Sequence, residues 1–144
     1  MSTLSIATSG LSAASLRLNV AASNIANVLT TGPLPTGGSE ASGGAGSPSN
    51  NSNLPAVYVP LQVNQADQPG GGTIATVSAV SPGFVPQSDP GAPFANQDGL
   101  VAAPNVALAS EFVQLLTAKY AFAANAKVVQ TYYDTTKSLL DITA

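Results

Sequence analysis

Tyr133 and Lys137 stand four residues apart, a spacing that puts a phenol and an ammonium on one face of a helix, as in the proton-relay dyad of some oxidoreductases. That chemistry also needs a glycine-rich dinucleotide fingerprint between a strand and a helix, and none accompanies the pair. Tyr133 instead continues an apolar stripe, and Lys137 reads as an ordinary helix-surface residue. The triplet Gly70-Gly71-Gly72 hints at a phosphate loop, but no Lys-Ser/Thr follows it and no βαβ unit surrounds it, so it reads as a turn. The carboxylates Glu40, Asp67, Asp89, Asp98, Glu111, Asp134 and Asp141 are scattered, without the pairing of acid/base catalysis or the spacing of a calcium loop. Asn50-Asn51-Ser52 spells a glycosylation triplet, which has meaning only in a eukaryotic secretory context.

The composition narrows the chemistry further. The 144 residues, enough for one domain with a modest core, contain no His and no Cys, which removes imidazole catalysis, thiol nucleophiles, disulfides and the commonest zinc ligands. Only Arg17, Lys119, Lys127 and Lys137 are basic, giving a formal net charge of −3 that would not neutralise a phosphate backbone. Nucleic acid, a small-molecule substrate, a cofactor and a bound metal are therefore not expected, and the chain is not read as an enzyme. No basic stretch precedes an apolar segment before Arg17, so a cleaved secretory signal is not expected, and no apolar run spans a bilayer.

The elements that would position any function are two helices. Leu4, Leu11, Leu18 and Ile25 recur every seven residues, and Ala7, Ala14, Ala21 and Val28 follow each by three, an a/d seam with small residues at d. Its polar flank holds Ser and Asn, including Asn24 and Asn27, instead of the Lys and Arg of a membrane-surface helix. A helix over residues 5–27 would be ~35 Å long. A second stripe runs through Leu108, Phe112, Leu115, Lys119, Phe122, Ala126, Val129, Tyr133, Thr136 and Leu140, with Asn105 as N-cap of a helix over 106–141, ~54 Å long. Between them lies a Gly/Ser/Pro-rich stretch. One strand is expected over 57–63 and a second over 73–80, joined by the turn DQPGGG into a hairpin, and residues 81–104 are expected to be extended and irregular.

The segment SGLSAASLRLNVAASNIANVLTTG, Ser9 to Gly32, resembles the N-terminal signature of bacterial flagellar axial proteins, a small-residue helix closed by an Ala-Asn-Asn-Leu-Ala-Asn-like block and a turn. DPGAPFANQDGLVAAPNVALASEFVQLLTAKYAFAANAKVVQT, Asp89 to Thr131, is similar to the Pro-rich approach, Gly-x-Val-x-x-Pro-Asn-Val entry and Tyr-x-x-Asn-Ala-Lys-Val block of rod and hook proteins. Gly99, Val101, Pro104, Asn105, Val106, Tyr120, Ala124, Asn125, Ala126 and Lys127 occupy the matching positions. The chain departs from the pattern in its turn VLTTGPLP and at Ala107, where an acidic or amide residue is usual.

The resemblance implies a structural subunit of the flagellar basal-body rod, nearest the small proximal members, or failing that another rod or hook-type subunit. A secreted helical-hairpin protein is the alternative from another class. The expected fold is mainly α: long terminal helices paired as a coiled coil, with a small β-hairpin and irregular loops between them. The divisions are an axial helix over 1–31, a flexible loop over 32–54, a β-containing middle over 55–104 and a second axial helix over 105–144. Subunit packing is assigned to Leu4, Leu11, Leu18, Asn24, Ile25, Asn27, Phe112, Leu115, Phe122, Asn125, Val129, Tyr133 and Leu140. The implied partners are copies of itself, other rod subunits and the flagellar type III export apparatus, and the implied site is the periplasm-spanning rod, reached without signal cleavage.

Overall fold

A computed structural model describes residues 2–35 and 56–143. In chain order the elements are α1 (Thr3–Asn27), β1 (Leu61–Asp67), β2 (Thr73–Ala79), β3 (Phe84–Ser88), β4 (Leu100–Pro104) and α2 (Leu108–Thr143). The strands make two separate two-stranded sheets, β1–β2 and β3–β4. Two compact units emerge. The first comprises Met1–Ala21, Val63–Thr76 and Phe112–Ala144, and the second Ala22–Gln62 and Val77–Glu111.

This corrects the expected fold class, a coiled-coil helix pair carrying one hairpin. A second antiparallel sheet occupies the stretch read as irregular, with Phe84 opposite Pro104, Pro86 opposite Ala102 and Ser88 opposite Leu100. The Pro- and Gly-rich composition concealed it. Pro86 has no N–H to give to a ladder, yet it costs little here, because Ala102 sends both its N–H and its C=O the other way, to Gly32, at 2.8 and 3.0 Å. β4 is thus paired on both sides, and its residues Val101, Ala102, Ala103 and Pro104 are buried. They centre the second unit. Pro60, buried in the same unit, accepts a hydrogen bond from the Val80 N–H at 2.9 Å, which ties the approach to β1 to the end of β2.

In the first unit the helices do not interlock large residues into holes. The buried residues of α1 there are Ala7, Ala13, Ala14, Val20 and Ala21, while Leu4, Leu11 and Leu18 are half-buried. On α2 the fully buried residue is Ala118. Small side chains leave room for a neighbour, and at Gly10 that room is filled by a side chain: an added Cβ would lie 2.7 Å from both amide atoms of Asn125. The larger apolar residues are displaced to the flanks, the physical reason that the expected coiled-coil seam does not form.

Local signals set the element ends. Ser2 accepts the Ser5 N–H on its hydroxyl at 3.3 Å, an N-cap for α1. After Asn27 the Thr30 N–H and hydroxyl both return to the Asn27 carbonyl, closing the helix. The β1–β2 turn places Gly70, Gly71 and Gly72 at φ of 94–96°, a region that favours glycine. Its tip docks on α1, where the Ser9 hydroxyl accepts the Thr73 N–H at 3.2 Å and donates to the Ile6 carbonyl at 2.7 Å.

Candidate assembly surfaces

Asn24 is the one fully buried polar side chain among the described residues, and its amide is completely used. Its Nδ2 donates to the Leu61 carbonyl at 2.8 Å and to Glu111 Oε1 at 2.9 Å. Its Oδ1 accepts the Tyr58 hydroxyl at 2.9 Å and the Leu61 N–H at 3.1 Å. Ser23 Oγ lies 3.2 Å from the same Tyr58 hydroxyl. An amide is suited to this place because it matches a peptide group with one donor and one acceptor and still has one of each for Glu111 and Tyr58. All these groups belong to the second unit, so α1, the approach to β1 and the first turn of α2 are joined there by one side chain. The Asn105 side chain does not cap α2. It donates to the Pro82 carbonyl at 2.9 Å, its N–H donates to Gly83 at 3.2 Å, and the helix opens at Leu108.

The residues assigned to packing fall into distinct environments. Asn24 is buried. Leu4, Leu11, Leu18, Ile25, Asn27, Leu115, Asn125 and Val129 are half-buried, whereas Phe112, Phe122, Tyr133 and Leu140 are exposed, Leu140 to 71 % and Tyr133 to 60 %. Asn125 donates to its own Ala121 carbonyl at 2.8 Å and lies against Gly10, and Asn27 donates to Ser23 in the same way at 2.9 Å. In the first unit, α2 turns Leu115, Ala118, Asn125 and Val129 inward. A second apolar stripe faces the other way. Val113, Leu116 and Tyr120 recur at steps of three and four and are 63 %, 50 % and 70 % exposed. Tyr120 lies two residues, about 200°, around the helix from buried Ala118. Among the described residues nothing covers this second face. That outer stripe is hidden in the sequence by the 112/115/119/122 series, although the 113/116/120 spacing carries it.

Charge is divided unequally between the units. All four basic residues, Arg17, Lys119, Lys127 and Lys137, belong to the first, with Asp67, Asp134 and Asp141. Among the described residues the second holds Asp89, Asp98 and Glu111 and no basic residue. Asp89 and Asp98 are exposed in the β3–β4 connection. That connection is well ordered by its own bonds: Asp89 N–H donates to Gly99, and the Asn96 side chain accepts the Asp98 and Leu100 N–H groups at 3.0 and 2.8 Å.

The groups singled out for chemistry in the sequence are not brought together. Tyr133 and Lys137 are both exposed on α2, and the three glycines make a hairpin turn. Among the described residues there is no group of three His, Cys, Asp or Glu placed to hold a metal, and no helix long and apolar enough to cross a membrane.

Comparison with known proteins places both ends of the chain. Residues 4–33 match the family described as "Flagella basal body rod protein", and residues 97–142 match "Flagellar basal body rod FlgEFG protein C-terminal". The chain is similar to the flagellar basal-body rod protein FlgC of Salmonella typhimurium, 35 % identical over 130 residues that cover 88 % of this chain and 84 % of the relative. The FlgC proteins of Escherichia coli O6:H1 and O157:H7 are 37 % identical over 131 residues, with the same coverage.

Proposed function

Because this chain belongs to the flagellar basal-body rod proteins, we propose that it builds the rod by burying, between neighbouring subunits, the apolar helix faces it leaves exposed. It is a structural subunit of the flagellar basal-body rod and not an enzyme. The observation that carries the packing reading is the two-sided α2, with alanine and asparagine turned inward and Val113, Leu116 and Tyr120 turned outward. Burying such a face is worth ~25 cal/mol per Å² of apolar surface, so repeated contacts along a helix of 36 residues stiffen a shaft without any reactive group. In this reading the half-buried Leu4, Leu11, Leu18 and Ile25 and the exposed Phe112, Phe122, Tyr133 and Leu140 meet copies of the chain and other rod subunits.

Similarity over most of its length to FlgC supports a place in the proximal rod, within the part of the shaft that crosses the periplasm. Passage through the flagellar type III export apparatus, with α1 retained in the mature subunit, goes with that place. Retention is supported by the part α1 plays in the fold, since it supplies Asn24 and the buried alanines. The test is complementation: a strain lacking the gene should regain swimming and complete basal bodies with the wild-type copy, and mass spectrometry of those basal bodies should find peptides from α1. Normal rods in the deletion strain would reject the assignment, and basal bodies without α1 would reject retention.

A further inference from the structure

We propose that successive copies of this chain meet head to tail, the β3–β4 connection of one copy docking through Asp89 and Asp98 on the outer face of α2 of the next. The inference rests on the rod reading and deepens it by naming the partner and the two surfaces. The receiving face carries Val113, Leu116 and Tyr120 bordered by Lys119 and Lys127, all exposed. Lys127 has its ammonium on the Gln130 side-chain oxygen at 3.1 Å, a neutral partner that leaves its charge uncompensated. The docking surface is a rigid turn whose two carboxylates point to no ion-pair partner among the described residues. Its Asx-type bonds at Asn96 and the Asp89–Gly99 closure hold the backbone that carries the two carboxylates in place.

The division of charge selects the occupant. An isologous pair joining second unit to second unit would set carboxylate against carboxylate, because that unit has no base, and an isologous pair through the α2 faces would set lysine against lysine. A heterologous contact brings opposite signs together, and a heterologous contact whose rotation does not close continues into a helical assembly. Another protein on this α2 face would have to bring an acidic turn of its own. This chain already has one, exposed and preformed.

Charge reversal tests the contact in cells carrying only the variant gene. Asp89→Lys with Asp98→Lys should reduce swimming at least tenfold, as should Lys119→Glu with Lys127→Glu, and the combination of all four should restore at least half of the wild-type rate. Wild-type swimming by either reversed pair overturns the interface, as does a combination no better than the worse pair. Because the chain has no cysteine, a second readout is direct: basal bodies from cells expressing Asp98→Cys and Lys127→Cys copies together are treated with a short bismaleimide. Cross-links joining one kind of copy to the other support the proposal, and products confined to like copies overturn it. Failure of the wild-type gene to restore a deletion strain would instead reject the rod reading, so the two failures are separable.

Discussion

Replacing Asn24 with alanine should be the most damaging single change in the second unit. The side chain is fully buried and makes four hydrogen bonds, three to neutral groups and one to the Glu111 carboxylate. Removing it leaves the Leu61 N–H and C=O, the Tyr58 hydroxyl and one carboxylate oxygen without their partner. At about 1 kcal/mol for each neutral bond and about 2 kcal/mol for the charged one, the loss is about 5 kcal/mol if nothing relaxes. Leu61, Tyr58 and Glu111 are only half-buried, so water entering the vacated space recovers part of it, and the expected cost is about 3 kcal/mol. With an m value of about 2 kcal/mol/M in urea, the midpoint should fall by about 1.5 M. Urea unfolding followed by circular dichroism measures this, and amide exchange at Leu61 should accelerate in parallel. Asn24→Asp sharpens the test, because it sets a second carboxylate at the position that now donates to Glu111, and two such groups raise the affinity of the pair for a proton. A raised folded-state pKa means stability that is present at low pH and lost as pH rises through it, so this variant should approach wild type in acid and fall away toward neutrality, while Asn24→Ala should not. A cost below 1 kcal/mol for Asn24→Ala, or an Asn24→Asp variant whose deficit does not depend on pH, would refute the view that this amide joins the three segments.

Phe122→Glu, at a side chain 42 % exposed, should lower the urea midpoint of the purified chain by about 0.5–1 M, leaving it folded, yet abolish swimming, separating assembly from folding; motility at the wild-type rate would remove Phe122 from the packing surface. Gly72→Ala should destabilise the hairpin by about 1–2 kcal/mol, since φ of +94° disfavours any side chain and its Cβ would lie 2.7 Å from Ser9 Oγ, and thermal unfolding reads the change. Gly10→Ala gains about 1 kcal/mol of helix propensity but must expel the Asn125 amide, so it should be neutral or destabilising in the wild-type background and stabilising alongside Asn125→Ala; a double-mutant cycle without that change of sign would mean that the helices do not approach at Gly10.

The seven-residue alternation on α1 was legible, and it correctly singles out Ala7, Ala14 and Ala21, which are buried, beside leucines that are only half so. What periodicity cannot say is which column wins the interior, and here it is the alanine column. The span of α2, expected over 106–141 and observed as Leu108–Thr143, follows from a long stripe without Gly or Pro. Its start differs from the expected one because Asn105 is a good cap by local rules, whereas its actual partner, Pro82, is 23 residues away. The same distance problem hid the β3–β4 sheet, whose strands hold proline and little alternation. It also displaced β1, observed at Leu61–Asp67 where residues 57–63 were expected, because its exposed polar residues carry no one-sided pattern. Asn24 could be named from the family-like block, but Leu61 and Glu111 lie 37 and 87 positions on, and no local signal links them. Most of the stretch expected as a flexible loop, residues 36–54, lies outside the described residues.

The two-way hydrogen bonding of Gly32 with Ala102 brings the end of the N-terminal segment beside the entry to the C-terminal one. Everything between them enters and leaves at adjacent points, like a bight drawn from a knot. The thermodynamic penalty for lengthening such a bight rises only with the logarithm of its length, about 0.6 kcal/mol for each doubling. An affinity tag or fluorescent reporter added between Gly32 and Ala102 would therefore load that closure weakly wherever it leaves the contacts of Tyr58, Leu61, Thr73 and β3 intact. The Gly32–Ala102 closure is nearly indifferent to the length of what it encloses, so the contacts made by the enclosed strands decide where chain can be added.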